Sequence, residues 1–578
     1  MAVRRGVVLI LSLILLAMFV SIAGVLLLAT FARPSTVVPA AATLELMIEA
    51  PWSEVEPSDV AQQFLGAPPS LRATIDTIQR AKADTRIKAL VIRPAVSAAL
   101  WAQIQEVHAA LVDFKTSGKP VIAFLEAGGT GDYYLATAAS RIVLMPAGQL
   151  DLAGLASYEL FFRGALDKIG VFPDLLHIGD YKSASNTFTE RDFTPAHREM
   201  TASLNRDWYD ELVKAIAAGR RVTEDAARAL IDGGPYMADG ALAAGLVDVL
   251  AYDDEIDDTE PIHGTETLTS GDYARAVGPA PVGTGKIALL YAVGTIASGE
   301  SSFDSPTGGL VLGSDTFVDW VREVRLDPSI SAVVVRIDSP GGSAIASEVI
   351  WRELMLTREV KPLVVSFGDV AASGGYYIAA PAHTIVSQPG TLTGSIGVVT
   401  GKFVLDGALE KLGVGTGAVS NGRFAEIYSP FRPFTDDERA RLSDHMRATY
   451  DLFVKRVADG REQPVARIDA VAQGRVWTGR QARELGLVDE LGGLGDAIRI
   501  AGQRARLDPA RGVRLVVFPE KRSIYEVLSS QMGASTTTGA LGALLGHADL
   551  GAVRAAASVL PLFRRGEPLA ILPNVFVH

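Results

Sequence analysis

A chain of 578 residues is too long for one ordinary hydrophobic core, and its composition, 48% hydrophobic and 21% charged, is that of a globular protein of about three units. A formal net charge of −12 and a pI near 5.3 argue against a nucleic-acid partner, because phosphate binding needs a dense Lys/Arg surface. The absence of cysteine excludes disulfides, thiolate catalysis and cysteine-ligated metals.

At the N-terminus, Arg5 and Arg33 bracket 27 uncharged residues rich in Leu, Ile, Val and Ala. A cleaved signal has an apolar region of only about 7 to 15 residues, so residues 1–33 read as a cytoplasmic tip and a retained membrane anchor. Ala-containing sites after Thr30 leave cleavage as the alternative. Arg4 and Arg5 precede the span, which by the positive-inside rule places the rest of the chain outside the cytoplasm.

Beyond the span the chain contains itself twice. Lys119-Pro-Val-Ile-Ala-Phe-Leu125 and Gly131-Asp-Tyr-Tyr-Leu-Ala-Thr-Ala-Ala-Ser-Arg-Ile-Val143 return as Lys361-Pro-Leu-Val-Val-Ser-Phe367 and Gly374-Gly-Tyr-Tyr-Ile-Ala-Ala-Pro-Ala-His-Thr-Ile-Val386, at an offset of 243. Ala89-Leu-Val-Ile-Arg93 answers Ala332-Val-Val-Val-Arg336 at the same offset. Uniformly apolar runs such as 332–337 and 363–367 alternate with helical patterns such as 345–359. That alternation predicts buried parallel sheet and an α/β fold in each copy. The expected organisation is a first repeat over 34–250, an acidic then Pro/Gly-rich linker over 251–285, a second repeat over 286–507, and a tail over 508–578.

Ser373 follows an apolar strand pattern and precedes Gly-Gly and an apolar helix. It reads either as a helix N-cap or as a nucleophile beside unpaired helix N–H groups that would receive an oxyanion. Gly374 supplies one such amide, and the glycine-rich turn Asp338-Ser-Pro-Gly-Gly-Ser343 offers a second from Gly341 or Gly342. A serine nucleophile needs a base. No histidine pair has metal-ligand spacing, and His383, ten residues after Ser373, would point away from the helix start and reads as structural. Lysine serves where burial lowers its pKa from about 10.4. Lys182, in Ile178-Gly-Asp-Tyr-Lys-Ser-Ala184, has polar neighbours in Ser183, Ser185 and Asn186 that would orient an amine; its alternative is a surface loop lysine.

Gly368-Asp-Val-Ala-Ala-Ser373-Gly-Gly-Tyr-Tyr377 with Thr391-Leu-Thr-Gly-Ser-Ile-Gly397, and Gly179-Asp-Tyr-Lys182-Ser-Ala with Glu190-Arg-Asp-Phe-Thr-Pro195, closely resemble the long form of the signal peptide peptidase A (protease IV) family. The resemblance covers roughly residues 1–507. It implies a ClpP/crotonase-like fold in each repeat, Ser373 as nucleophile, Lys182 as general base, and Ser395 as the hydroxyl that orients the lysine. It also implies remnant signal peptides as substrates, an inner-membrane location with the catalytic region periplasmic, a homotetramer, and no metal or other cofactor. The repeat adds an independent check. The residue matching Ser373 is Thr130, and aligning Phe193-Thr-Pro195 with Phe434-Thr-Asp436 sets Lys182 against Arg423, which stays charged and cannot act as a base. Each copy keeps one half of the dyad, which predicts a site assembled between them. Two rivals stand beside this reading: a crotonase-type acyl-CoA enzyme, and a membrane-anchored scaffold with a decayed dyad.

Overall fold

The structure, a computed structural model, describes residues 37–56, 70–96, 100–256, 262–278, 283–302, 310–520, 568–571 and 576–577, with positions 17, 18, 21 and 24 ahead of them. The expected anchor otherwise lies outside the described residues, and among those described no helix is long and apolar enough to cross a membrane.

Each half is built on a parallel sheet whose strands read as continuous apolar runs because helices cover both faces. In the first, the strands run in the order Val249–Leu250, Arg141–Leu144, Val121–Leu125, Ile87–Ala95, Ala42–Glu49, Glu266–Thr269, every pair parallel. In the second, Glu490–Leu491, Thr384–Ser387, Leu363–Ala372, Ile330–Ser339, Gly285–Val293 and Val513–Phe518 repeat that order, again all parallel. Duplication in sequence is thus duplication of topology. The two edge strands Glu266–Thr269 and Val513–Phe518 fall in segments read from sequence as linker and tail. Each is instead the outer strand of its half.

Two 26-residue helices hold corresponding places, Pro195–Arg220 and Asp436–Arg461. Each starts at a threonine whose hydroxyl accepts a backbone N–H, Thr194 from His197 at 3.3 Å and Thr435 from Glu438 at 3.3 Å. Each ends at a left-handed residue, Arg221 and Glu462.

The halves dock through the helix Trp101–Lys115 of the first. Its buried polar side chains bond backbone of the second half: Gln105 Oε1 accepts from Gly390 N at 2.7 Å, and Glu106 Oε1 from Leu494 N at 2.6 Å. Beneath it, the guanidinium of Arg336 donates to Glu54 at 2.9 Å and Glu106 at 2.8 Å, all three side chains buried. A third, mixed sheet joins the halves: Val311–Gly313, Thr295–Ala297, Gly341–Ser343, Leu569–Ile571, Val398–Val404, Phe172–Ile178.

Candidate active site

Ser373 stands between the strand Leu363–Ala372 and the helix Gly374–Ala379. Its φ of 55° and ψ of −113° lie outside the usual regions for a residue with a Cβ, a strained geometry that persists only where surroundings impose it. Those surroundings are backbone bonds: Ser373 N donates to Gly394 O at 2.8 Å, and Tyr377 N donates to Ser373 O at 2.8 Å. The hydroxyl makes no capping bond to the helix. The N-cap alternative is therefore set aside, because Ser373 Oγ points instead to Lys182 Nζ, 2.8 Å away.

Lys182 arrives from the other half. The strand Phe172–Ile178 pairs antiparallel with Val398–Val404 along its whole length, from Phe172 opposite Val404 to Ile178 opposite Val398. The turn that follows brings Lys182 to Ser373. A second turn, Gln473-Gly474-Arg475, then ties the lysine loop to the Ser395 loop. Tyr181 N donates to Gln473 O at 2.9 Å, Gly474 N to Ile396 O at 2.7 Å, and Ser395 N to Arg475 O at 2.7 Å. Gly474 has φ +76°, and a Cβ there would lie 2.5 Å from Lys182 Cβ, so only glycine fits. Arg475 is held flat between the Tyr181 and Trp477 rings, 4.6 and 4.4 Å from their centroids, and donates to Glu199 at 2.8 Å.

Both Lys182 and Ser373 are 0% exposed. Burial alone holds the Lys182 pKa well below its usual 10.5, since desolvation disfavours the ammonium. Its remaining neighbours are Ser395 O at 2.9 Å and Ser395 Oγ at 3.0 Å. A neutral amine has two N–H bonds and one lone pair. Directing the two hydrogens at Ser395 leaves the lone pair facing the Ser373 hydroxyl.

The expected role of Ser183, Ser185 and Asn186 is corrected. The Ser183 and Ser185 hydroxyls are buried without a hydrogen-bond partner among the described residues, and Asn186 Nδ2 donates to Thr194 at 3.4 Å, so none of the three orients the amine. His383, as its sequence position suggested, is engaged elsewhere: its Nδ1 accepts from Leu363 N at 3.0 Å.

The glycine turn lies against the start of the helix that follows Ser373. A Cβ built on Gly374 would sit 3.1 Å from both Gly341 Cα and Gly342 N, so the Gly342 amide borders the start of the Ser373 helix. Gly341 N is already engaged, donating to Ser339 Oγ at 3.2 Å. Among the described residues no cluster of His, Asp and Glu could hold a metal ion.

The sequence profile of peptidase family S49 matches residues 113–259 and 355–508, one stretch in each half. The chain belongs to peptidase family S49. It is similar to a chloroplastic serine protease SPPA of Arabidopsis thaliana, 32% identical over 481 residues that cover 81% of this chain and 70% of that one. It is also similar to Protease 4 of Salmonella typhi, 35% identical over 497 residues covering 83% of this chain and 78% of that one. A putative signal peptide peptidase SppA of Enterococcus faecium is 33% identical over 227 residues, 39% of this chain and 65% of its own. As an S49 member the protein is a serine peptidase, which sets aside the acyl-CoA and scaffold readings.

Two participants escaped the sequence reading. The turn Gln473–Arg475 carries no catalytic residue type, and its one local signal is a Gly placed where the second repeat ends a helix. The strand Leu569–Ile571 pairs with Gly341–Ser343 at the site from within a tail that showed no regular pattern.

Proposed function

We propose that the protein is a membrane-anchored endopeptidase of apolar peptides, in which Ser373 is the nucleophile and Lys182 its general base. The first half supplies the base and the second the nucleophile. The observation that carries this reading is the 2.8 Å approach of Lys182 Nζ to Ser373 Oγ, with both groups sealed from water. The neutral lysine accepts the hydroxyl proton as Ser373 Oγ attacks the peptide carbonyl. Gly374 N–H and Gly342 N–H stabilise the oxyanion, and Gly341 gives the turn its positive φ of 98°. The ammonium protonates the departing amine; a water, deprotonated by the same lysine, then releases the acyl group from Ser373. Ser395 holds the amine in orientation throughout.

Remnant signal peptides are the proposed substrates. This rests on the apolar span at 6–32, which would hold the site beside the membrane where such peptides are left, and on the name of the Enterococcus relative. The proposed location is the inner membrane, single-pass, with the catalytic region periplasmic.

The proposed homotetramer draws on an imbalance between the halves. Trp101–Lys115 is covered by the second half, whereas its counterpart Ala344–Arg358 leaves Ile345 and Val349 exposed. A head-to-tail contact that repeats this docking between copies is of the heterologous kind from which closed rings are built.

Cleavage of a fluorogenic apolar peptide across pH 6 to 10 tests the dyad. Loss of cleavage in both Ser373→Ala and Lys182→Ala, with a parent rate that rises through one basic limb, is the expected result; activity surviving in Lys182→Ala would mean another base.

A further inference from the structure

The slot beside Ser373 is already filled by the chain itself. Leu569–Ile571 lies antiparallel to Gly341–Ser343, with Gly341 opposite Ile571, Gly342 opposite Ala570 and Ser343 opposite Leu569. On its other side Leu569 pairs with Val399, on the strand that begins three residues after Ser395. Ala344 N donates to Pro568 O at 3.2 Å, extending the ladder by one bond. Leu569 and Ala570 are each 1% exposed, and Leu569 shares a small apolar cluster with Val399 and Ala184, two positions past Lys182. A Cβ on Gly341 would collide with the Ala570 carbonyl oxygen and stand 2.7 Å from Gly374 N, so that carbonyl and that amide border one small volume. The segment therefore presents a backbone carbonyl near the amide assigned to the oxyanion.

Two strand edges facing each other across one strand width form a receptor for extended peptide. Main-chain bonds to both sides give affinity with little demand on sequence, and alternate side chains enter pockets. Left empty, the slot would strand buried N–H and C=O groups beside the catalytic pair. A tethered occupant needs little intrinsic affinity, because covalent linkage gives it an effective concentration on the order of millimolar.

We propose that the slot between Gly341–Ser343 and Val398–Val404 binds peptides as an antiparallel strand, and that Pro568–Ile571 is its resident occupant, competing in cis with substrate. The proposal rests on the assignment of Ser373 and Lys182. It makes the preferred ligand an extended segment with a large apolar residue followed by a small one, as in Leu569-Ala570.

The chain contains no cysteine, so one engineered disulfide is unambiguous. In the full-length protein, Val399→Cys combined with Leu569→Cys places two thiols at paired positions of an antiparallel ladder, within the Cα separation of about 4.4 to 6.8 Å that a disulfide spans. Oxidation is expected to slow cleavage of a fluorogenic apolar peptide at least tenfold, dithiothreitol to restore it, and either single variant to ignore both. Leu569→Glu, which puts a charge into the apolar cluster, is expected to lower KM several-fold with little change in kcat. A disulfide-closed enzyme that cleaves as fast as its reduced form overturns the proposal, as does an unchanged KM in a folded Leu569→Glu. Adding Ser373→Ala to the reduced double variant separates the two levels. Cleavage that survives it refutes the site assignment, whereas cleavage that depends on Ser373 but ignores the disulfide refutes only the resident strand.

Discussion

The two halves share a scaffold down to single hydrogen bonds and differ where the chemistry sits. Tyr133 donates to Leu246 O at 2.7 Å, and Tyr376 to Leu487 O at 2.7 Å; Asp248 accepts from Ile142 N at 2.7 Å, and Asp489 from Ile385 N at 2.7 Å. At Ser373 the likeness ends. Thr130 heads its helix without the left-handed geometry of Ser373, and Asp132 stands where the second half has Gly375. The Asp132 carboxylate accepts from Val96 N at 2.7 Å and Gly129 N at 2.9 Å, so the first half holds a carboxylate at its helix start where the second has no side chain. At Lys182 the asymmetry reverses. Lys182 is carried by a strand with a partner, while residues 413–423 form no strand and are almost wholly exposed. Arg423 there pairs with Asp437 at the surface. The lesson is that the strand Phe172–Ile178 exists because the second half offers Val398–Val404 as its partner. Delivering the lysine and docking the halves are one event.

The largest test of that asymmetry exchanges its halves' residues. Lys182→Arg gives the first half the second half's residue, and peptide cleavage is expected to fall by roughly 10³-fold or more, because a guanidinium cannot accept the proton. Arg423→Lys is expected to leave the rate within about twofold, as an exposed surface pair contributes little. Next in size is a pair of stability measurements. Arg336 and its repeat counterpart Arg93 have side chains 1% and 20% exposed, the first against Glu54 and Glu106, the second against Glu45 and Asp253. Arg336→Met strands two buried carboxylates and is expected to cost about 3 to 5 kcal/mol in urea denaturation. Arg93→Met is expected to cost below about 1 kcal/mol. Equal losses would mean that the inter-half cluster is no more than a surface pair. Smaller again is Gly474→Ala. Its Cβ would press on Lys182, and a misplacement of about 1 Å is expected to lower kcat up to 100-fold. Stability is expected to fall as well, by roughly 1 kcal/mol or more, because alanine at a φ of +76° is strained and its Cβ meets the Lys182 backbone.

Much of this architecture was legible because duplication prints the same apolar runs twice, and a strand buried on both faces has little freedom in composition. That Lys182 and Ser373 meet across the two halves was legible through motif and through divergence of the copies. What could not be read was whatever depends on a partner distant in sequence. Glu266-Thr-Leu-Thr269 has one buried residue of four and no strand pattern; it is a strand because Ala42–Glu49 leaves an open edge. Leu569–Ile571 is three residues whose placement is decided by the slot they enter. Gln473–Arg475 contributes backbone carbonyls and an absent side chain, neither of which composition reveals. Ser183 and Ser185 misled for the converse reason: they form the 3₁₀ turn next to Lys182 in sequence, yet their buried hydroxyls bond no group among the described residues.

The burial that lowers the Lys182 pKa should also weaken the fold, and the pH dependence of stability exposes that cost. In the folded protein the amine titrates well below 10.5, because desolvation penalises its ammonium. In the unfolded chain it titrates near the ordinary value of about 10.4. Between those two pKa values the unfolded state binds the extra proton, so the lysine's contribution to stability rises with pH through that window. Below the folded pKa the penalty is constant and at its largest; above about 10.4 it vanishes. Lys182→Met keeps the length of the side chain and removes the titration. It is expected to abolish cleavage, to raise the unfolding temperature of the parent at pH 7, and to show a margin over the parent that narrows steadily as pH approaches 10. A margin that stays constant with pH would place its origin in packing. A variant less stable than the parent at every pH would mean that the amine's bonds to Ser373 and Ser395 outweigh its desolvation, and that the first half kept its lysine for structure as well as for chemistry.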